Sequence, residues 1–409
     1  MSRTTSLLHS RDFRLLWCGQ TVSVLGGNVS SVAYPLMALA LTHSAVGAGL
    51  VALANTAPFP ILQLPAGIYV DRWNRRAVLL AADGGRALAL GSVALLLALG
   101  QLAFLELVLA ALIEGSLFVP FRLAETASLR RIVPTSQLPD AIALNQGQTY
   151  GTSVAGTPLG GLLYSLSPMV PFLADSLSYL ASLLTIAGIR SSLSAPQHQG
   201  GRHLLAELKE GLRWTWSHPF VRSTALLSTG SDFVINGLFL LLVVMVRERG
   251  AAPDVIGVML GLGALGGVLG SVAAPLLRRR VHSLRLVVAG TVWLDALLVA
   301  AMATSSSPWV LGALLGLVLS LWPLFNAVVK GRWLADVPDQ LLGRVNSAVA
   351  LLGWAPVPLA PLAAGVLLEL TGSTITVLCF AALMLTVAIA ATLNRDVRAA
   401  SIEGVALPA

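Results

Sequence analysis

Charge is scarce in this chain, and cysteine and lysine are scarcer still. Only 11% of its 409 residues are charged, too few to clothe a water-soluble globule of this length. The two cysteines, Cys18 and Cys379, stand far apart in apolar runs. No disulfide framework and no metal-ligand spacing follows from them, and they read as packing residues. Lysine occurs only at Lys209 and Lys330, neither in a Gly-x-x-x-x-Gly-Lys-Ser/Thr loop, which excludes a P-loop for ATP. No His-Glu-x-x-His and no Gly-x-Ser-x-Gly is present, and no dinucleotide fingerprint is joined to a strand and helix. The sequence therefore points away from an enzyme and calls for no cofactor and no metal.

What the chain has in abundance is apolar length. Hydrophobic residues make up 56%, and the mean hydropathy is +0.81. A spanning helix needs roughly 20 mostly apolar residues, and twelve runs qualify: 15–41, 45–70, 77–99, 102–121, 141–163, 169–189, 220–246, 255–277, 284–303, 309–329, 345–368 and 375–393. The first run is far longer than a signal peptide's apolar core and is expected to stay as span 1.

The net charge of +7 and pI near 10.1 do not mean nucleic acid, because the basic residues are placed by topology. With the N-terminus inside, all of the 26 lysines and arginines except Arg247 and Arg249 fall on cytoplasmic segments or adjoining helix ends. A multi-pass protein of the cell (inner) membrane with both termini cytoplasmic is expected, its surroundings the lipid bilayer.

The polar interval from Arg190 to His218 separates six runs from six. This gives an N-terminal bundle over 1–190, a cytoplasmic linker over 191–218 and a C-terminal bundle over 219–409. Within the linker, Leu204, Leu205, Leu208, Leu212 and Trp216 recur at helical spacing opposite Arg202, Glu207, Lys209, Glu210 and Arg213, the pattern of an amphipathic helix on the inner membrane surface. Sliding the chain along itself by half its length aligns Val133-Pro134 with Val337-Pro338, Asn28 with Asp232, and Arg75-Arg76 with Arg279-Arg280. That is the trace of a duplicated six-helix unit. Pro275 stands where a second Asp71 would be, so the two copies differ at that acid.

The tightest hairpin between two spans reads Gly67-Ile-Tyr-Val-Asp71-Arg72-Trp-Asn-Arg75-Arg76. It resembles the loop between transmembrane helices 2 and 3 of the major facilitator superfamily, Gly-x-x-x-Asp-Arg-x-x-Arg-Arg, with every fixed position filled. The resemblance implies an all-α polytopic membrane protein with 12 transmembrane helices in two pseudo-symmetric six-helix bundles, the major facilitator fold. It also implies a cytoplasmic latch made of Gly67, Asp71, Arg72, Arg75 and Arg76, facing the start of helix 11 at Gly343 and Arg344. Topology alone accounts for the arginines but does not require Asp71 or Gly67.

A charged side chain at bilayer depth costs about 2.5 to 3.5 kcal/mol on insertion scales and usually faces a cavity or a partner. Asn28, Glu114 and Asp232 stand midway along spans 1, 4 and 7, while Trp322 and Asn326 lie in span 10. By resemblance those four helices line a central cavity, which makes these five residues the candidate substrate and proton site. Burial favours the protonated form of a carboxyl group in general, so Glu114 and Asp232 are candidates to exchange a proton against a cationic or neutral substrate. The competing reading is that they hold helices together through hydrogen bonds. Asp83 and Arg86, one turn apart, read as a structural pair, and Asp175 and Asp295 have no partner visible in the sequence. His43, at an outer helix end, reads as solvated.

In span 5, Gly151 and Gly156-Thr-Pro158-Leu-Gly160-Gly161 resemble the Gly-Pro-x-x-Gly-Gly signature of antiporters in the superfamily, with Thr157 in place of the expected proline. Glycines there allow close packing and the proline frees a carbonyl, so the segment is a candidate hinge. Glu114-Gly115 keep the end of a helix 4 pattern seen in drug and proton antiporters, whereas Ala111 fills its arginine position. The stretch Arg130-Arg131-Ile-Val-Pro134-Thr-Ser-Gln-Leu138, followed by Ala141, Leu144 and Asn145, is similar to the macrolide-efflux and siderophore-exporter branch. Together these imply a secondary active, proton-coupled exporter of an amphiphilic small molecule, working as a monomer by alternating access. An importer or facilitator stays open as the alternative, and a non-transporting membrane sensor is the remaining reading.

Overall fold

In a computed structural model of the chain, residues 7, 9–193, 204–280, 283–338 and 340–399 are described. Arg3 and Arg202, used above in the charge pattern, lie outside them. Every regular element among the described residues is a helix. Internal contacts divide the chain into two compact units, Met1–Gly200 with Gly250–Gly261, and Gly201–Arg249 with Leu262–Ala409.

The first unit holds α1 (Arg11–Thr42), α2 (Ala45–Thr56), α3 (Pro58–Arg72), α4 (Arg75–Ala98), α5 (Phe104–Ile132), α6 (Leu138–Leu166) and α7 (Met169–Ala187). Side chains fix the helix starts: the Ser10 hydroxyl accepts from Phe13 N, Ser44 from Gly47 N, and Asn74 from Arg76 N. Span 2, expected as one helix, is broken at Pro58. Proline has no N–H to continue the ladder and sits at the first position of α3 instead. Span 4 runs past its expected end at Phe121 to Ile132, since charged residues continue a helix beyond the hydrocarbon.

Within this unit α1 packs on α6 and α7, α4 on α5 and α7, and α5 on α2 and α3. At the hairpin end, Phe13, Leu16, Leu79, Phe121, Leu129 and Ile189 form one buried cluster. Asp12 ties the two ends of the bundle together, accepting from the backbone N–H of Arg190 at 3.2 Å and of Ser191 at 2.8 Å.

The second unit holds α8 (Leu204–Ser217), α9 (Pro219–Glu248), most of α10 (Pro253–Arg280), α11 (Leu284–Met302), α12 (Pro308–Asp336), α13 (Leu342–Trp354), α14 (Leu359–Leu393) and α15 (Arg395–Ala399). Here α14 packs on α9 and α11, and α11 on α12. Glycines let α10 lie against α12: Gly266 faces the Gly316 backbone and Gly270 that of Ser320. Gly372, at φ +77°, breaks α14 internally, where spans 11 and 12 were expected to part.

Among the described residues, ten stretches are long and apolar enough to cross a bilayer. One of them contains the Gly372 break, and the more polar α6 is not among the ten, so the set is consistent with twelve crossings. Large apolar side chains point outward all along these helices, Leu88 at 76% and Val272 at 69% exposed among them. Such a belt belongs in lipid rather than water.

Candidate functional site

Glu114 is the centre of the most developed polar group in the first unit. Gly115 beside it leaves room for α5 to press on the backbone of Asn55, which brings α2 and α5 together at this level. The carboxylate then accepts two phenolic hydrogen bonds, from Tyr34 of α1 at 2.6 Å and from Tyr179 of α7 at 2.9 Å. Asn55 Nδ2 approaches the same oxygen as Tyr34, at 3.4 Å.

Tyr179 passes the connection on. Its hydroxyl accepts from Arg86 Nη2 at 2.7 Å, and the guanidinium lies 3.9 Å from the Tyr179 ring centroid. Arg86 also meets Asp83 at 3.4 Å, one turn away on α4. Both are buried, so the pair expected from spacing is present and extends to Glu114 through a tyrosine.

Asp175, without a visible partner in the sequence, has two. Gly26 lets α1 lie flush on α7 at Asp175 and Ser178, and there the Ser30 hydroxyl donates to Asp175 at 2.5 Å and the Ser178 hydroxyl at 3.0 Å. Five helices of one bundle thus converge on a buried group of three carboxyls, one guanidinium and two phenols. Buried charges of this kind hold only when paired and hydrogen-bonded. Asp295, on α11 in the second unit, is the opposite case, with its buried Oδ1 left without a hydrogen-bond partner.

The other expected cavity residues are arranged differently. Asn28 donates to Val24 O on its own helix and accepts from the Ser153 hydroxyl of α6 at 3.2 Å. It shares a unit with Glu114 but not a hydrogen-bond group. In the second unit Asp232 is partly buried, with Lys330 as the charge acting on it. Trp322 stacks on Phe325 at 5.5 Å, and Asn326 donates to Trp322 O within α12.

At the hairpin, Arg75 donates to Ala127 O of α5 at 3.4 Å and Arg76 to Ala187 O at the end of α7. These two arginines therefore staple the loop to its own bundle, while Arg72 is exposed and Gly67 has open space at its Cβ position. The side chain of Asp71 lies outside the described residues. Arg344 pairs with Glu210 and, at 3.9 Å, with Glu207 of the linker helix α8, and the neighbouring Gly343 is exposed.

The expected hinge residues divide by what they touch. A Cβ on Gly156 would meet Asn28, one on Gly160 the backbone of Val29, and one on Gly161 the backbone of Pro253 and Gly257. Pro158 packs against Gly261 inside the same unit, whereas Gly151 faces open space. Here α6 is a continuous helix through Pro158, and Gly156, Gly160 and Gly161 are close-packing contacts.

Tyr34, Tyr179, Asn55 and Ser30 were not singled out from the sequence. The available signal was the placing of polar groups at bilayer depth on spans 1, 2 and 6, which hydropathy averages away.

A bundle of apolar helices of membrane-crossing length with a buried ionisable group in its core defines a multi-pass membrane transporter of the major facilitator superfamily. The chain belongs to the transmembrane secretion effector family, whose profile matches residues 2–405. It is 26% identical to the multidrug efflux pump Tap of Mycolicibacterium fortuitum over 385 residues, 90% of this chain and 91% of that pump. It is 25% identical to the enterobactin exporter EntS of Escherichia coli O1:K1 / APEC over 348 residues, 82% of this chain and 80% of the exporter. Among solved structures, the inward-facing bacterial homologue of the iron transporter ferroportin matches with a TM-score of 0.73 at 16% identity, covering 94% of this chain and 98% of that one. The nucleoside transporter NupG matches with a TM-score of 0.70 at 15% identity, covering 92% and 97%. These last two bear on the fold alone. The protein is thus a membrane transporter of the major facilitator superfamily and not an enzyme.

Proposed function

We propose that this transporter is a proton-coupled exporter of an amphiphilic small molecule, of the drug, macrolide or siderophore kind. It works as a monomer in the inner membrane with both termini cytoplasmic and moves its substrate by alternating access. The observation that carries the reading is the Glu114 group, with the carboxyls of Asp83, Glu114 and Asp175 set around the one guanidinium of Arg86 in a buried core. Acids in excess of cations there are a place to take up and release a proton without carrying net charge into the membrane. Asp232 is the corresponding acid of the second unit. The names of the two relatives support outward transport of a drug-like or siderophore-like cargo.

In this reading Asp71 is the acid of the cytoplasmic latch, on a hairpin held rigid by Arg75 and Arg76. The two bundles, 1–190 and 219–409, are the parts that rock. The deciding experiment loads cells expressing the full chain with a fluorescent lipophilic dye. Dye leaves energised cells faster than controls and a protonophore abolishes the difference; uptake in place of efflux, or efflux indifferent to the protonophore, overturns the proposal.

A further inference from the structure

The first unit carries a second polar site, half open with Arg122, Gln146 and Thr149 exposed at it, that the proton-coupling group does not use. It is a cavity of about 180 Å³ between α1, α5 and α6, lined by Gln20, Arg122, Glu125, Asn145, Gln148 and Thr149 among others. Arg122 and Glu125 follow each other at helical spacing on α5, as do Asn145 and Thr149 on α6, so one polar face of each helix is turned into it. Glu125 stands about 10 Å of helix rise before the α5 terminus at Ile132.

The side chains around this cavity have bonding capacity left over. Gln20 is 5% and Glu125 6% exposed, and Gln20 faces the Glu125 carboxylate without its Nε2 closing a well-formed hydrogen bond. An ionised carboxylate can accept about four hydrogen bonds, and Glu125 accepts a long one, 3.4 Å, from Asn145 Nδ2. Among the described residues no ion pair joins Glu125 to Arg122, whose guanidinium lies 5.7 Å from the Phe118 ring. A buried acid approached only at long range by Asn145 and Gln20 keeps room for a closer donor, and the Gln20 amide keeps an N–H to give. A guest that donates to Glu125 and accepts from Gln20 would answer both.

We infer that this cavity is a substrate subsite that takes the primary ammonium headgroup of an amphiphile carrying a hydrogen-bond acceptor next to the amine. Whole drug-sized ligands need about 300 to 1,000 Å³, so the space suits a headgroup, with the apolar remainder outside it. The inference deepens the export reading and rests on it for the identity of the guest as cargo.

The test is equilibrium binding to the purified full-length protein in detergent, with no gradient. The probe is a dansylated alkyl 2-amino alcohol, whose hydroxyl is the acceptor beside a primary amine, compared with its trimethylammonium counterpart, which has the same charge but no N–H to donate from nitrogen. The wild type is expected to prefer the primary amine, and Glu125→Gln to weaken its binding by about tenfold while changing the trimethylammonium probe far less. Gln20→Ala and Asn145→Ala remove no charge and are expected to weaken the amine severalfold, which keeps the site testable if Glu125→Gln fails to fold. Equal affinity of the wild type for the two probes, binding of neither, or affinities unchanged in the variants would each mean a pocket filled by water alone and would overturn the assignment. Amine binding that depends on Glu125 in a chain without gradient-driven efflux would instead sink the export reading and leave the subsite standing.

Discussion

Tyr179 donates to Glu114 over 2.9 Å with the same hydroxyl that accepts from Arg86. One phenol therefore joins an acid on α5 to a cation on α4, and the two ionic groups communicate without touching.

Tyr179→Phe keeps the ring and deletes the bridge. Arg86 then loses the nearer of its two acceptors and Glu114 one of its donors, and an orphaned buried polar group costs about 1 to 3 kcal/mol. The purified variant should melt a few degrees lower, and its efflux should show a displaced dependence on external pH. A lowered melting point with an unmoved pH profile would leave Tyr179 a packing role only.

Glu114→Gln and Asp232→Asn remove the acids proposed to handle the proton, one in each unit. At least one of them should transport down a substrate gradient while no longer responding to an imposed pH gradient. Full gradient response in both, measured in proteoliposomes with the pH clamped on each side, would place coupling elsewhere.

Asp71→Asn tests the latch apart from the binding site. Turnover should slow several-fold while substrate affinity stays within about twofold, a change of less than about 0.5 kcal/mol. Initial rates across substrate concentrations separate the two, and an unchanged maximal rate would remove Asp71 from gating.

Gly160→Ala and Gly151→Ala form a matched pair. A Cβ at Gly160 would come 2.5 Å from Val29 O, against backbone that cannot rotate away, whereas Gly151 has open space. Forcing α1 and α6 apart should cost about 1 to 3 kcal/mol. Alanine at 151 should be neutral or slightly stabilising through its helix preference. Equal melting points for the pair would show that α6 does not depend on this close approach.

The spans were legible because a bilayer fixes how much apolar length each crossing needs, and ten of the twelve expected runs match helices or parts of helices within a few residues at both ends, the exceptions being the inner ends of the fourth and tenth runs. Those inner ends were not legible: hydropathy stops at the last apolar residue, while α5 continues through Arg122, Glu125 and Arg131. The Asp83–Arg86 pair could be read because helical spacing alone brings it together. The partners of Glu114 could not. Tyr34 and Tyr179 stand far from it in sequence, and a tyrosine in an apolar run looks like any packing aromatic until the fold turns its hydroxyl toward an acid. The same holds for Arg344, whose partners Glu207 and Glu210 belong to a helix whose pattern points to the membrane surface and not to Arg344.

That helix, α8, is seated rather than free. Gly211 lies against the main chain of Arg344, which reaches back to Glu210, and Trp214 packs beside Val221 and Val345. Anyone cutting the gene to produce the halves separately should therefore cut ahead of Leu204, so that the C-terminal fragment keeps its own floor. A break after Ser217 would strip the base of α13 and expose an apolar face that the intact chain never shows.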